Sequence, residues 1–418
     1  MLCQFKYIKK LTVVCTIVSL AFISAGPLDT EPAVLHVNAA PLIYPFVVNK
    51  SYNPLMIIRA FLLIFFIMFV FASTAFLNPI PVRKIKTGDR PLYGVSYSFE
   101  QAGWFGVDPR KDYIQMLEEF KFDWVRLPFF WNQMVDKDGS FNKNFDDLKF
   151  AIEEAQKRDV KVIIALGAKT PYFPEYHWPK EIEKQVKFGQ RITLDHPVAK
   201  DILNIDEKVV KELSVYDNII YWQVENEPLI GNVNRWKIDP SLIAKEVETV
   251  RQADPKKRPI ILNHAAVGFY DRSWQKLLPI LSSGDVFAAN AFFKTKGTDL
   301  FNFKILGREV HMLWPDHLVW PVQPWFVFSP DFKSMKTKAE EKGAKFWVLE
   351  MQAEPYIKKL DEADDPYLTF TAGDIEKGNN FLRSYRIESV GLWGANFWLY
   401  KEKSGDYSYT KAVKSIVE

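Results

Sequence analysis

Cysteine is almost absent from this chain: it has two, Cys3 and Cys15, both near the N-terminus. Everything beyond Cys15 therefore lacks a thiol for a disulfide, a thiolate-bound zinc or a cysteine nucleophile. Histidine is also scarce, and its six positions, His36, His177, His196, His264, His311 and His317, show no His-Glu-x-x-His or related ligand spacing. No metal and no cofactor is expected. The net charge is only +3 over 418 residues, which gives no electrostatic case for a nucleic-acid partner. No glycine-rich phosphate loop follows any candidate strand, which disfavours a doubly wound nucleotide-binding sheet. There is no Gly/Ser-rich linker or internal repeat to mark a second globular domain.

Aromatic residues are plentiful, 15% of the chain with 13 Trp, enough to line a cleft as well as pack a core. Two apolar stretches stand out near the N-terminus. Leu11 to Ala25, behind Lys6, Lys9 and Lys10, has signal-peptide proportions. Ala60 to Leu77 carries no charge over about 18 residues, just enough to cross a bilayer. Residues 1–90 are thus expected to form a signal or transmembrane region, with the membrane as a partner, and 91–418 a single globular domain. Arg83, Lys84, Lys86 and Arg90 follow the second stretch and would favour the cytoplasmic side, as in a two-span hairpin. The alternative preferred here starts synthesis at Met56 and makes the second stretch an export signal, with Ser73 and Ala75 suited to cleavage. The domain is then membrane-anchored or secreted and extracytoplasmic.

From Leu92 onward, short β-branched or aromatic runs alternate with longer amphipathic ones, the pattern of repeated β/α units. Eight strands are predicted, at about Tyr93 to Tyr97, Trp124 to Phe129, Val160 to Leu166, Ile219 to Val224, Pro259 to Asn263, Val286 to Phe292, Phe346 to Leu349 and Val390 to Gly394. Most are continuously apolar, as strands buried on both faces should be. Asp108-Pro109 and Asp239-Pro240 provide helix starts, each with a cap residue ahead of Pro in the first turn. Phe145, Leu148, Ile152 and Ala155 share one helical face. The fold class is α/β, a (β/α)8 TIM barrel, with Lys294 to Phe328 expected to form a long loop over its mouth.

Two of these strands run into carboxylates. The fourth continues from Trp222-Gln223-Val224 into Glu225-Asn226-Glu227-Pro228, and the seventh from Phe346-Trp347-Val348-Leu349 into Glu350-Met351-Gln352-Ala353-Glu354-Pro355. Side chains at the C-terminal ends of barrel strands converge on the mouth, so residues distant in sequence can face each other there. Asn-Glu-Pro after a fourth strand resembles the acid/base motif of the cellulase-like clan of retaining (β/α)8 glycosidases, clan A. The seventh-strand segment is similar to the Glu-x-Gln-Ala-Glu-Pro of its bacterial cellulase-family branch.

The resemblance implies that Glu227 is the acid/base and Glu350 the nucleophile of a double displacement on a β-linked glycoside, oligosaccharide or polysaccharide, with the carboxyls about 5 to 5.5 Å apart. By the same resemblance Arg126 contacts the nucleophile, and a cation beside a carboxylate favours its charged form. Asn226 would bond the sugar 2-hydroxyl. Trp131 closes the strand-two segment, Lys169 and His177 sit in a sugar-binding loop after strand three, and Trp393 supplies the platform beneath the sugar.

Each assignment has a plainer rival. Asn-Glu-Pro can serve only as a helix cap and turn. Arg126 can be an interior salt-bridge partner, Lys169 and His177 can satisfy local backbone, and Trp131 and Trp393 can be packed core. Glu354 competes with Glu350 as nucleophile. Strict alternation puts Glu225 on the same side of its strand as Glu227, but its motif position reads as structural. One departure stands out: the clan carries a tyrosine at the end of strand six, whereas this chain has Asn290-Ala291-Phe292-Phe293-Lys294. Phe cannot donate the bond that tyrosine gives the nucleophile; Lys294 or Tyr270 could compensate. Retaining hydrolysis is the expected activity, with transglycosylation on the same residues or a catalytically weak carbohydrate-binding barrel as the alternatives.

Overall fold

The eight expected runs form β1 (Leu92–Ser96), β2 (Trp124–Pro128), β3 (Lys161–Leu166), β4 (Ile219–Val224), β5 (Ile260–His264), β6 (Val286–Ala291), β7 (Lys345–Gln352) and β8 (Ser389–Trp393). Each pairs in parallel with its sequence neighbours, and β8 returns to β1 to close the barrel. The computed structural model describes residues 58, 61–66, 90–231, 233–266, 271–296, 299–305, 308–313, 319–321, 330–357, 360–364 and 369–418. The chain divides into two units, Met1–Phe61 and Leu62–Glu418, and the barrel belongs to the second. The first apolar stretch lies outside the described residues, as does the second apart from 61–66, which are helical with exposed side chains. No helix among the described residues is long and apolar enough to cross a membrane.

The helices that clothe the barrel are α1 (Pro109–Glu119), α2 (Lys143–Lys157), α3 (Pro197–Leu213), α4 (Pro240–Ala253), α5 (Phe332–Glu340), α6 (Ala372–Arg383) and α7 (Ser408–Val417). Two short 3-10 turns, Ser273–Lys276 and Leu278–Ile280, stand between β5 and β6. The expected caps form: Asp108 accepts the backbone N–H groups of Arg110 and Lys111, and Asp239 that of Ser241, satisfying donors that a helix start leaves unpaired. Phe145, Leu148, Ile152 and Ala155 of α2 are all buried.

The stretch from Lys294 is more ordered than a long loop. Lys294–Lys296 pairs antiparallel with Val319–Pro321, and Asp299–Ile305 with Arg308–Leu313. The alternation of Phe301, Phe303 and Ile305 with polar residues carried that signal, because period two is the strand repeat.

Inside the barrel the side chains form two kinds of layer. Trp124, Ile163, Tyr221, Ile261, Val286, Ala288, Trp347 and Leu349 make one apolar cluster that fills its lower part. One pleat further along the strands come Arg126, Gln223, Asn263 and Asn290, all buried. The floor is filled by indoles, with Trp124 stacked on Trp347 at 6.2 Å. Gly391 leaves the space they need: a Cβ there would lie 2.2 Å from the Leu349 carbonyl oxygen and 2.6 Å from the Trp124 ring. Gly391→Ala is therefore expected to destabilise the protein by about 1–3 kcal/mol through overpacking. Urea unfolding measures this, and an unchanged midpoint would show that the floor has slack.

Candidate active site

The polar layer is built from strand ends. Arg126 on β2 is wholly buried and uses each arm of its guanidinium: Nε donates to Ser96 Oγ at 2.9 Å, Nη1 to Gln223 Oε1 at 3.2 Å and Nη2 to Glu350 Oε1 at 2.6 Å. A buried carboxylate is tolerated only when paired in this way. Arg126→Met would strand the Glu350 charge and is expected to cost about 3–5 kcal/mol. Adding Glu350→Met should restore part of that loss, and denaturant unfolding of the double-mutant cycle reads the coupling. Equal stability of the single variant and the parent would mean that the pair has no structural weight.

Glu350 reaches this layer through an irregularity in β7. Trp347 and Leu349 point into the barrel, so plain alternation would turn residue 350 outward. The β6–β7 register slips between Val348, opposite Ala289, and Glu350, opposite Asn290. A bulge of this kind re-aims a side chain, and bulges concentrate beside active sites.

Glu227 arrives from β4 by a different device. Glu225 and Glu227 both have left-handed backbones, φ +57° and +48°, which non-glycine residues adopt only when their surroundings enforce it. The first turns Glu225 away from the mouth, where its carboxylate accepts the backbone N–H groups of Ala168 and Lys169 at 2.8 and 2.7 Å. Glu227 Oε1 accepts from Asn290 Nδ2 at 2.6 Å, and its backbone N–H donates to Asn263 Oδ1 at 2.9 Å. Asn290 stands opposite Glu350 in the ladder, and the charge of Glu350 acts on the Glu227 carboxyl. Burial, and after it the charge of Glu350, push the Glu227 pKa up to about 7. One carboxyl is held as an acid near neutral pH while its neighbour pairs with a guanidinium. Environments that differ in this way set acid and base assignments apart.

The remaining expected residues fall into two groups. Asn226 joins the layer: its Oδ1 accepts from Gln223 Nε2 at 3.2 Å and Asn263 Nδ2 at 2.8 Å, which leaves the NH2 end as its donor. Trp393 on β8 lies with its ring 5.8 Å from the Arg126 guanidinium and 4.3 Å from the Tyr172 ring, and its indole bonds the Glu354 carboxyl. Burial lifts the Glu354 pKa to about 8, so this competitor for the nucleophile role is an uncharged group at neutral pH. Lys169, His177 and Trp131 are all buried. Trp131 opens a single helical turn, Trp131–Met134. His177 bonds the Tyr172 carbonyl through Nε2 at 3.2 Å and stacks on Phe130 at 3.9 Å. Burial lowers its pKa to about 4, so it is a neutral imidazole whose proton lies on Nε2. Lys169 donates to backbone carbonyls of the Glu227 segment, as described below.

Sequence reasoning missed Gln223, Asn263, Asn290 and Tyr172. The first three were marked by position: each follows an inward apolar residue by two, the pleat repeat that also carries Trp124 to Arg126. Tyr172 had no such signal, because it comes from the loop after β3 with a left-handed φ of +76°. Its ring covers Trp393, and its burial raises its pKa well above the tyrosine value, so the phenol keeps its proton. At strand six Phe293 packs against Phe370 and Phe381, and Lys294 pairs with Asp374 at 2.6 Å, which directs its ammonium to α6. Tyr270 lies outside the described residues. Among the described residues no group of three or more His, Cys, Asp or Glu side chains could hold a metal ion. A cavity of about 410 Å³ opens beside the ends of β1 and β2, lined by Tyr97, Phe99, Glu100, Phe130 and Gln133 among others. Neither Glu227 nor Glu350 lines it, so the chemistry of the polar layer, and not that volume, defines the candidate site.

A closed barrel with a buried carboxyl and a paired carboxylate at its polar end is compatible with a glycosidase scaffold. The sequence model of the family described as cellulase (glycosyl hydrolase family 5) matches residues 84–293, half of the chain. The chain belongs to that family and is a retaining glycoside hydrolase. No curated protein sequence matches it. Among solved structures it is similar to the catalytic domain of CelCCA, with TM-score 0.49, 15% identity, and coverage of 81% of this chain and 95% of the other. It is also similar to a GH5 family lichenase from Caldicellulosiruptor sp. F32, with TM-score 0.45, 16% identity, and coverage of 81% and 99%. Thermotoga maritima Cel5A, solved in complex with cellobiose, gives TM-score 0.44, 15% identity, and coverage of 72% and 88%.

Proposed function

We propose that the protein cleaves β-linked glycosides by double displacement, with Glu350 as nucleophile and Glu227 as acid/base. The observation that carries this reading is the pairing of Glu350 with Arg126 beside a buried Glu227 whose pKa burial and the Glu350 charge raise to about 7. Glu350 attacks the anomeric carbon, the glycosidic C–O bond breaks, and the proton of Glu227 passes to the leaving oxygen. Water then attacks the glycosyl-enzyme, giving its proton to Glu227 and releasing Glu350. In this reading the NH2 end of Asn226 bonds the 2-hydroxyl, and Trp393, backed by Tyr172, carries a sugar face. Tyr172 is a neutral phenol on which the charges of Arg126 and Glu350 act, and it takes the role left vacant by Phe292 and Phe293.

A 2-fluoro aryl β-glycoside tests the assignment. Peptide mapping should place the covalent label on Glu350, whereas reversible sugar binding without a label would favour a carbohydrate-binding barrel. Product analysis with added acceptor sugars separates hydrolysis from transglycosylation. The apolar run of 60–77 supports an exported or membrane-anchored enzyme, and N-terminal sequencing of the native protein tests that location: a mature chain starting at Met1 would end the export-signal reading.

A further inference from the structure

The loop after β3 contains a lysine whose polar atoms are all used on its neighbours. Lys169 is wholly buried. Its ammonium donates to the carbonyls of Glu227 at 3.0 Å and Ile230 at 2.9 Å, and pairs with Glu175 at 3.1 Å. Its own carbonyl accepts the Asn226 N–H at 2.6 Å, and its own N–H donates to Glu225. Two of its N–H donors thus go to carbonyls and the ammonium faces the Glu175 carboxylate as an ion pair, so it is committed to protein groups. What it does hold is the segment in which Glu225 and Glu227 keep their left-handed backbones. Such conformations persist only where the surroundings over-determine them.

We infer that the Lys169–Glu175 pair is a positioning device for the acid/base, fixing the Glu225–Ile230 segment so that the Glu227 carboxyl meets Asn290 and the glycosidic oxygen. The inference rests on Glu227 being the acid/base. The groups that face Glu227 are Glu350 from β7, Asn290 from β6, and Lys169 and Glu175 from the β3 loop. Those around Lys169 are Glu175, Glu225, the Tyr176 ring at 6.0 Å and His264. Among them Lys169 lowers the Glu227 pKa and Glu175 raises it.

The test uses Lys169→Met and Glu175→Gln in the full chain, with aryl β-glycosides of good and poor leaving groups. A displaced acid should lower kcat by about 10²-fold on the poor leaving group, since small misplacements cost that much, with little change in KM. The loss should shrink on a dinitrophenyl glycoside, whose departure needs no proton. The alkaline limb of the pH profile should move up in Lys169→Met and down in Glu175→Gln. A KM rise with kcat intact, or equal losses on both leaving groups with the limb unmoved, would overturn the inference and return Lys169 to a sugar contact or a purely structural role. If Lys169→Met does not fold, Glu175→Gln decides alone, because it keeps both carbonyl bonds: a lowered limb with a leaving-group-dependent loss supports the device, and parental kinetics reject it. Failure of the underlying assignment would show elsewhere, as a Glu227→Ala variant that keeps its activity on poor leaving groups.

Discussion

Replacing Glu350 with alanine is expected to lower kcat/KM on an aryl β-glycoside by about 10⁴-fold or more, the scale on which loss of a catalytic nucleophile is felt. The expectation follows from the placement of the side chain: β7 slips register at this residue, and Arg126 then holds the carboxylate inside the barrel. No other group in the polar layer combines a negative charge with that position. Glu354 is the rival by sequence, but it bonds the Trp393 indole and keeps its proton to about pH 8. Glu350→Ala with added azide or formate should regain part of the activity and yield the inverted product, because a small anion can occupy the vacated space and attack from the same face. Parental turnover in Glu350→Ala would reassign the nucleophile.

Replacing Glu227 with alanine should cost about 10²–10⁴-fold on poor leaving groups, the usual contribution of general acid catalysis. With a dinitrophenyl leaving group the first step survives and the glycosyl-enzyme accumulates, so a burst is expected, and azide should divert the intermediate to a β-glycosyl azide. In the parent enzyme, activity that depends on the protonated form should decline as pH rises through about 7, and that limb should vanish in the alanine variant. The same shift has a stability consequence. Glu227 holds its proton in the folded state across a range in which the unfolded chain releases it, so its contribution to stability is present below the unfolded pKa and is lost as pH rises toward about 7. Thermal unfolding of Glu227→Gln, which has no proton to lose, should be less sensitive to pH over that range. A profile that keeps its alkaline limb in Glu227→Ala would assign the limb to another group.

The eight strands could be read before any coordinates, each within a few residues of its observed bounds, because continuous apolar runs flanked by capped helices admit few other solutions. Glu227 and Glu350 stood out through the resemblance of their segments to the cellulase-like clan, and the fold brings both into the polar layer. Glu225 reads as structural from its motif position, but the partners of Glu225 and Lys169 were not legible in the sequence. Alternation placed Glu225 with Glu227, but a left-handed residue at 225 rotates it toward Ala168 and Lys169. Lys169 looked like a sugar contact in a polar loop, yet its ammonium points at carbonyls 58 and 61 residues away.

By itself, the order of apolar and polar residues marked the eight strands of a β/α barrel, because burial and pleat are properties of neighbouring residues, and the motif resemblance supplied the chemical class of the site. Only the tertiary structure decided which acid stays protonated, which is paired, and which lysine serves the backbone. Those outcomes depend on charges and carbonyls brought together from distant strands, where removal from water makes each partner count for far more than it would in the unfolded chain.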